Sequence, residues 1–340
     1  MPQMPTHRRL LVAAIVGTTS FFVVLLLRLH FHQSSSDFDQ LVVGARRLLA
    51  GYTPYTANPL PALGWPIYYP APALVLGIPF VGLPLPWAHA VFCGISWAVF
   101  AWAATEHGDA QLFSLATRSA LLAVSLGQWT PLLMASAEIP VLGWIAIVKP
   151  NIGLALAVAY GSTWLRGRAR MVNLGVGCTL VVLSFLLRPT WMPEWSWILS
   201  RPKPHIVIPL TVIGGPVLLL ALLRWRRREA RLLAALSSVP QTFSSYDSLL
   251  VFLVARTRRE GIILAIGMLA LTIYGQLAPP PASLAASVQQ FGPARVALVF
   301  FPALVMVLRR PNEGSIPAWL ERFAGRVPRW IGGTAPVDSN

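Results

Sequence analysis

Apolar runs separated by short polar breaks fill most of this chain, and their spacing predicts helices. The first run covers residues 10–27, follows His7-Arg8-Arg9 and lacks a small-residue cleavage pattern after it. It reads as a retained transmembrane helix with its N-terminus inside. Further apolar segments fall at about 70–85, 87–105, 112–126, 129–148, 150–165, 172–187, 206–223, 231–242, 246–256, 261–277 and 293–308. Several are shorter than the ~20 residues that a full crossing needs. The pattern predicts an all-α, polytopic transmembrane bundle of about 11–12 helices. Twelve passes put both termini in the cytoplasm.

The polar stretch after the first run, residues 28–69, then lies on the external side. Within it, Leu41, Val42, Ala45, Leu48 and Leu49 recur at helical spacing from Phe38 onward, with Gln40, Gly44, Arg46 and Arg47 on the other side. This is the pattern of an amphipathic helix lying flat on a membrane surface. Asp37 stands just before it, where a carboxylate caps exposed N–H groups, and Gly51 and Pro54 end it.

Composition agrees with the pattern. A chain of 340 residues that is 55% hydrophobic and 11% charged has too much apolar surface for a water-soluble fold. Its mean hydropathy is +0.62. A net charge of +15 in a soluble protein would suggest nucleic acid. Here, however, the arginines sit in blocks between apolar runs: Arg166 to Arg170, Arg224 to Arg231, Arg256 to Arg259, and Arg309-Arg310. They report topology, and every block falls on the cytoplasmic side. Cys93 and Cys178 lie within apolar segments and carry no redox information. Residues 1–310 read as one membrane domain and 311–340 as a mobile cytoplasmic tail. The long first loop has no counterpart later in the chain, which argues against the inverted repeat of a transporter.

Few residues are left to carry chemistry. Asp37 and Asp39 stand two apart in an acid-poor protein. Asp37 suits a general base, and the pair reads alternatively as the start of a metal site, although no third acidic residue lies nearby. Tyr246-Asp247 interrupts two apolar pieces too short to cross a bilayer. A carboxylate at that depth is either a functional group or a helix cap. Lys149 falls between segments that parity joins on the external side, and is either a phosphate-binding cation or a snorkelling lysine. Gln128 reads as a polar contact between helices. Arg201 and Lys203 are external cations, while Trp65, Tyr68, Trp191, Trp195 and Trp197 fit an aromatic belt or a sugar-stacking surface. His30 and His32 read as interfacial.

The order of these motifs carries a resemblance. Asp37-Phe38, then Ala45-Arg46, Leu48-Leu49, Gly51 and Pro54-Tyr55, resembles the first external loop of polyprenyl-phosphate-sugar-dependent glycosyltransferases of the GT-C superfamily. It resembles especially glycosyltransferase family eighty-seven, which includes bacterial α-mannosyltransferases. Tyr69-Pro70 with Pro72, Gly127-Gln128, Lys149-Pro150 and Tyr246-Asp247 are similar to that family's other marks, so the likeness spans roughly residues 10–256. The family pattern continues with asparagine where this chain has Thr130.

The resemblance implies a plasma-membrane or inner-membrane enzyme whose Asp37 is the catalytic base on the external face. Asp39, Tyr69, Gln128, Lys149, Tyr246 and Asp247 would contact substrate. It would move a hexose such as mannose from a polyprenyl-phosphate sugar to a lipid-linked or glycan acceptor. The expected partners are these substrates and membrane lipids, with no nucleic acid, metal or cofactor. Competing expectations are a transporter or flippase of a lipid-linked sugar, and a noncatalytic scaffold.

Overall fold

A computed structural model describes residues 4–56, 65–201, 203, 206–314, 316, 321–322, 324–326, 328 and 332–334. Residues 57–64 of the first loop, and the parts of the tail between and beyond these positions, lie outside the described residues. The helices run in chain order α1 (Thr6–Leu25), α2 (Asp37–Leu49), α3 (Ala71–Val75), α4 (Leu85–Ala104), α5 (Arg118–Leu126), α6 (Thr130–Ala135) and α7 (Pro150–Trp164). They continue as α8 (Gly167–Leu187), α9 (Trp191–Leu199), α10 (Arg228–Ser238), α11 (Arg258–Leu277), α12 (Leu284–Arg295) and α13 (Phe301–Leu308). Among the described residues the strands are two residues each, β1 (Ile206–Val207) paired antiparallel with β2 (Gln241–Thr242), so the architecture is all-α.

Five helical stretches are long and apolar enough to cross a membrane: Thr6–His30, Leu85–Ala104, Gly167–Leu187, Arg258–Leu277 and Leu284–Leu308. They correspond to five of the twelve expected segments. Elsewhere, expected spans such as 70–85, 129–148 and 206–223 are divided into shorter pieces, and proline is the main cause. Pro72, Pro131, Pro140 and Pro216 each occupy the first or second position of a short helix. There a missing N–H costs nothing, but the ring prevents the preceding helix from running through. Pro140–Ile147, Gly215–Arg224 and Tyr246–Val254 are 3-10 helices. At about 2.0 Å per residue, the ten-residue example reaches ~20 Å.

The chain forms two compact units. The first comprises Met1–Glu106, Leu121–Gly153 and Trp164–Lys203. In it α1 and α4 pack through small residues: a Cβ on Gly17 would lie 2.8 Å from both Ala98 Cβ and the Gly94 carbonyl. Such close approach is typical of membrane helix pairs. A π-helical turn, Leu26–His30, extends α1 and carries Arg28 into the interior.

The structure corrects the surface-lying α2. Phe38 to Val42, Gly44, Ala45 and Leu48 are all buried, including Gln40 and Gly44 on the face expected to be polar. Gly44 makes room for Leu74 of α3, whose Cδ2 would be 2.8 Å from an added Cβ. Arg46 remains exposed and donates to the carbonyls of Val81 and Leu83 at 2.9 and 3.1 Å. Asn173 of α8 ties the middle of this unit together. Its amide donates to the carbonyls of Pro140 and Trp164 at 2.8 and 2.9 Å, and its oxygen accepts from the Trp144 N–H at 3.1 Å.

The second unit comprises His107–Ala120, Leu154–Thr163 and Pro204–Asn340. Gly267 of α11 lets the chain between α12 and α13 approach, since an added Cβ would stand 2.0 Å from the Leu298 carbonyl. The arginine blocks at 224–231, 256–259 and 309–310 meet here around two carboxylates. Glu229 pairs with Arg227, Arg256 and Arg310, at 2.9, 3.1 and 3.1 Å, and Glu260 pairs with Arg310 at 2.7 Å. The described part of the tail, expected to be mobile, docks on the buried Arg226. That guanidinium donates to both oxygens of Glu321, at 2.8 and 2.7 Å, and to the carbonyls of Gly332 and Gly314.

Removing one partner of such a clamp leaves the acceptors unpaired. Arg226→Gln should therefore release the tail, and limited trypsinolysis at Arg322 and Arg326 should become several-fold faster while the five long helices stay protected. An unchanged cleavage rate would mean that Arg226 does not hold the tail.

Candidate active site

The site starts from the way α2 begins. Ser36, with φ −142° and ψ 164°, is its N-cap, and Asp37 and Asp39 are its first and third residues. Asp39 Oδ2 accepts the Ser36 N–H at 2.9 Å, half of a capping box, and pairs with Arg28 Nη1 at 2.9 Å. Both charged side chains are almost fully buried, at 0% and 4% exposure. The carboxylate that caps α2 is thus Asp39, not Asp37. Burial raises the pKa of Asp39 against the pull of Arg28 and the Ser36 N–H.

Asp37 is half-buried and is held by amides. Gln128 Nε2 donates to its Oδ2, and Gln40 Nε2 donates to its Oδ1 at 3.3 Å. The chain of contacts continues on both sides. Lys149 Nζ donates to Gln128 Oε1 at 3.2 Å, and Gln40 Oε1 accepts the Tyr68 N–H at 3.0 Å. Trp195 Nε1 donates to the Tyr68 carbonyl at 2.9 Å, and the Tyr55 hydroxyl donates to the Tyr69 carbonyl at 3.1 Å. Residues 37, 128 and 149, far apart in sequence, therefore share one polar network within the first unit.

Local structure explains the meeting. Gly127 has φ +63°, a conformation that favours glycine, and turns the chain sharply between α5 and α6. An added Cβ would lie 2.5 Å from Phe38 Cβ and 2.8 Å from His89 Nε2. The backbone of Gly127 is thus pressed against the residue next to Asp37, which delivers Gln128. Phe38 stacks on Phe92 with ring centroids 4.5 Å apart and on His89 at 5.8 Å. Lys149 is placed by the break between the 140–147 helix and α7, where Pro150 starts the new helix.

The rim is made by the start of α9. Glu194 accepts from Arg188 Nη2 and the Thr190 hydroxyl, both at 2.6 Å, and from the Thr53 hydroxyl at 2.5 Å, tying α9 to the first loop. Partial burial alone would raise its pKa, but these hydrogen bonds and the Arg188 charge outweigh it and leave the pKa below the usual carboxylate value. Arg201 lies over the Trp197 ring at 4.3 Å and Lys203 over Tyr68 at 5.6 Å. Burial lowers the Lys203 pKa and raises those of Tyr55 and Tyr68.

The other expected site residues are distributed as follows. Tyr69 is buried beside this network, while Asp39 is turned away into its pair with Arg28. Tyr246 and Asp247 belong to the second unit and are also buried. Asp247 Oδ2 accepts from the Thr242 N–H and hydroxyl at 3.1 and 3.3 Å, and Arg295 donates to the carbonyls of Thr242 and Phe243. That turn is locally knotted. Among the described residues no three His, Cys, Asp or Glu side chains gather as a metal-binding group. Gln40, Arg28 and Glu194 were not singled out from the sequence. The spacing of Gln40, one helical turn after Asp37, is the signal that could have found it.

Two outcomes follow from this geometry. Gly127→Ala forces a side chain into a left-handed turn and against Phe38, so thermal unfolding in detergent should show a loss of about 1–3 kcal/mol. The lowered pKa of Glu194 means its bonds stabilise the fold above the unfolded carboxylate value, about 4.3, and that this stability is lost as pH falls through the lower folded value. Tryptophan fluorescence of the native protein should therefore change between about pH 5 and 3. Glu194→Gln should lack that transition.

Comparison of the chain with protein-family models, with curated proteins and with solved structures finds no match.

Proposed function

We propose that this protein is a multi-pass membrane glycosyltransferase that moves a hexose from a polyprenyl-phosphate sugar to a lipid-linked or glycan acceptor on the external face, with both termini cytoplasmic. The observation that carries the proposal is the Gln40–Asp37–Gln128–Lys149 network. It joins the half-buried Asp37 carboxylate to the Lys149 ammonium through Gln128, three residues that the sequence resemblance singles out separately, with Gln40 as a second amide on the carboxylate. The five long apolar helices supply a membrane setting for a lipid-borne donor.

The chemistry asks for two things. An acceptor hydroxyl oxygen attacks the anomeric carbon as the bond from that carbon to the phosphate oxygen breaks. The hydroxyl proton passes to a base, and the electron pair of the broken bond leaves with the polyprenyl phosphate. Asp37 takes the proton, since an ionised carboxylate is an acceptor and a general base. Gln40 and Gln128 fix its orientation. Lys149, anchored on Gln128, brings its positive charge to the leaving phosphate. Tyr68 and Trp195 give the rim aromatic faces against which a sugar ring can pack.

The test is incubation of the purified protein with a panel of radiolabelled polyprenyl-phosphate sugars and total membrane lipid. Labelled product is expected from the wild type. Asp37→Asn keeps the shape and should lower the rate by about a hundred-fold to ten-thousand-fold without loss of thermal stability. Lys149→Met should weaken use of the donor more than that of the acceptor. Equal rates for wild type and Asp37→Asn would remove the base, and transport of a lipid-linked sugar without product would favour a flippase. For the orientation, a cysteine replacing Ser35 should be labelled by an impermeant reagent from outside. Labelling only from the cytoplasmic side would reverse the topology.

A further inference from the structure

Behind Asp37 lies a second buried charged group that the proposed transfer does not use. Arg28 projects inward from the π-helical turn that extends α1, and such turns recur at functional sites. Its guanidinium meets Asp39 at 2.9 Å, with both side chains sealed from solvent. Asp39 Oδ2 also receives the Ser36 N–H. From α4, His89 faces the same region: its Nε2 lies 3.1 Å from the Val124 carbonyl and its ring stacks on Phe38. Charged groups near Asp37 among the described residues of this unit include Asp39 on its own helix, Arg28 from the end of α1 and, through Gln128, Lys149 just before α7.

We propose that Arg28 and Asp39 act as a positioning pair, in which Arg28 neutralises the carboxylate two residues from Asp37 and clamps the first turn of α2, so that Asp37 stays ionised and fixed in place. The proposal rests on the reading of Asp37 as a base. Its physical content is that an unneutralised carboxylate so close would disfavour charge on Asp37, whereas an unneutralised guanidinium would favour it. A pair that serves only to hold the fold would not produce opposite effects from its two halves.

The experiment uses Asp37→Cys as a reporter, in otherwise full-length protein in detergent. The pH dependence of its alkylation by iodoacetamide gives the thiol pKa at the position of Asp37, with Cys93 and Cys178 replaced by alanine. Adding Arg28→Gln should raise that pKa by about one unit, adding Asp39→Asn should lower it, and adding both should return it near the starting value. Arg28→Lys, which keeps the charge, should shift it less than Arg28→Gln. No shift, or shifts of the same sign from both single changes, would overturn the proposal. If Arg28→Gln fails to fold, the sign of the Asp39→Asn shift decides it.

A parallel arm keeps Asp37 and follows the acid limb of the transfer rate, which should move to higher pH in Arg28→Gln and less in Arg28→Lys. Opposite thiol shifts without any transfer by the wild type would leave the pair standing and remove the base. Transfer by the wild type with an unmoved thiol would do the reverse.

Discussion

For Asp37 to act as the proposed base, one half-buried carboxylate has to be charged, oriented and accessible at once. Desolvation works against the charge, and the first turn of a helix works for it, because the exposed N–H groups there carry a partial positive charge. Asp37 stands in that first turn while its neighbour Asp39 supplies the cap. The two amides that reach its oxygens come from opposite directions, Gln40 from its own helix and Gln128 from the Gly127 turn. Each amide is itself fixed by a further bond, from the Tyr68 N–H or from Lys149. A carboxylate held this way loses little rotamer freedom when a reacting hydroxyl arrives, which is how a positioned base contributes to rate.

The same need accounts for the packing below the site. For Gln128 to reach Asp37, the backbone at Gly127 has to touch Phe38, and Phe38 is seated by Phe92, Phe80 and His89. The aromatic cluster is therefore more than apolar filling. It sets the distance between α2 and the α5–α6 turn, and a shift of a few tenths of an ångström there moves the amide against the carboxylate.

Much of the fold was legible in the sequence, but unevenly. Uniform apolar runs such as 172–187 and 261–277 read directly as long helices, because nothing in them interrupts the backbone ladder. Where prolines fall inside an apolar run, as at Pro131 and Pro140, hydropathy still reports an apolar environment but no longer reports one continuous helix. The surface placement of α2 was misread for a related reason. A helical wheel treats Gln40 and Gly44 as outward residues, yet a glutamine with both ends satisfied and a glycine facing Leu74 are at home inside. Lys149, Gln128 and Asp37 were each found in sequence, but their meeting depends on tertiary turns that no local pattern encodes.

The Asp37-Phe38-Asp39 spacing settles what the two carboxylates can do together once α2 is known to start at Asp37. Successive residues turn by about 100° around a helix, so residues two apart point about 200° from one another. Two carboxylates at that offset cannot serve one small site from a regular helix, whether as a pair of metal ligands or as a catalytic dyad. One of them has to face inward, and an inward carboxylate is tolerable only with a buried cation and hydrogen bonds. Arg28 and the Ser36 N–H supply these to Asp39. Residues three apart differ by about 60° in projection, which is why Gln40, and not Asp39, shares a face with Asp37. The short motif thus divides its side chains: the first carboxylate meets Gln128, the second is sealed in the core with Arg28, and the following glutamine holds the first.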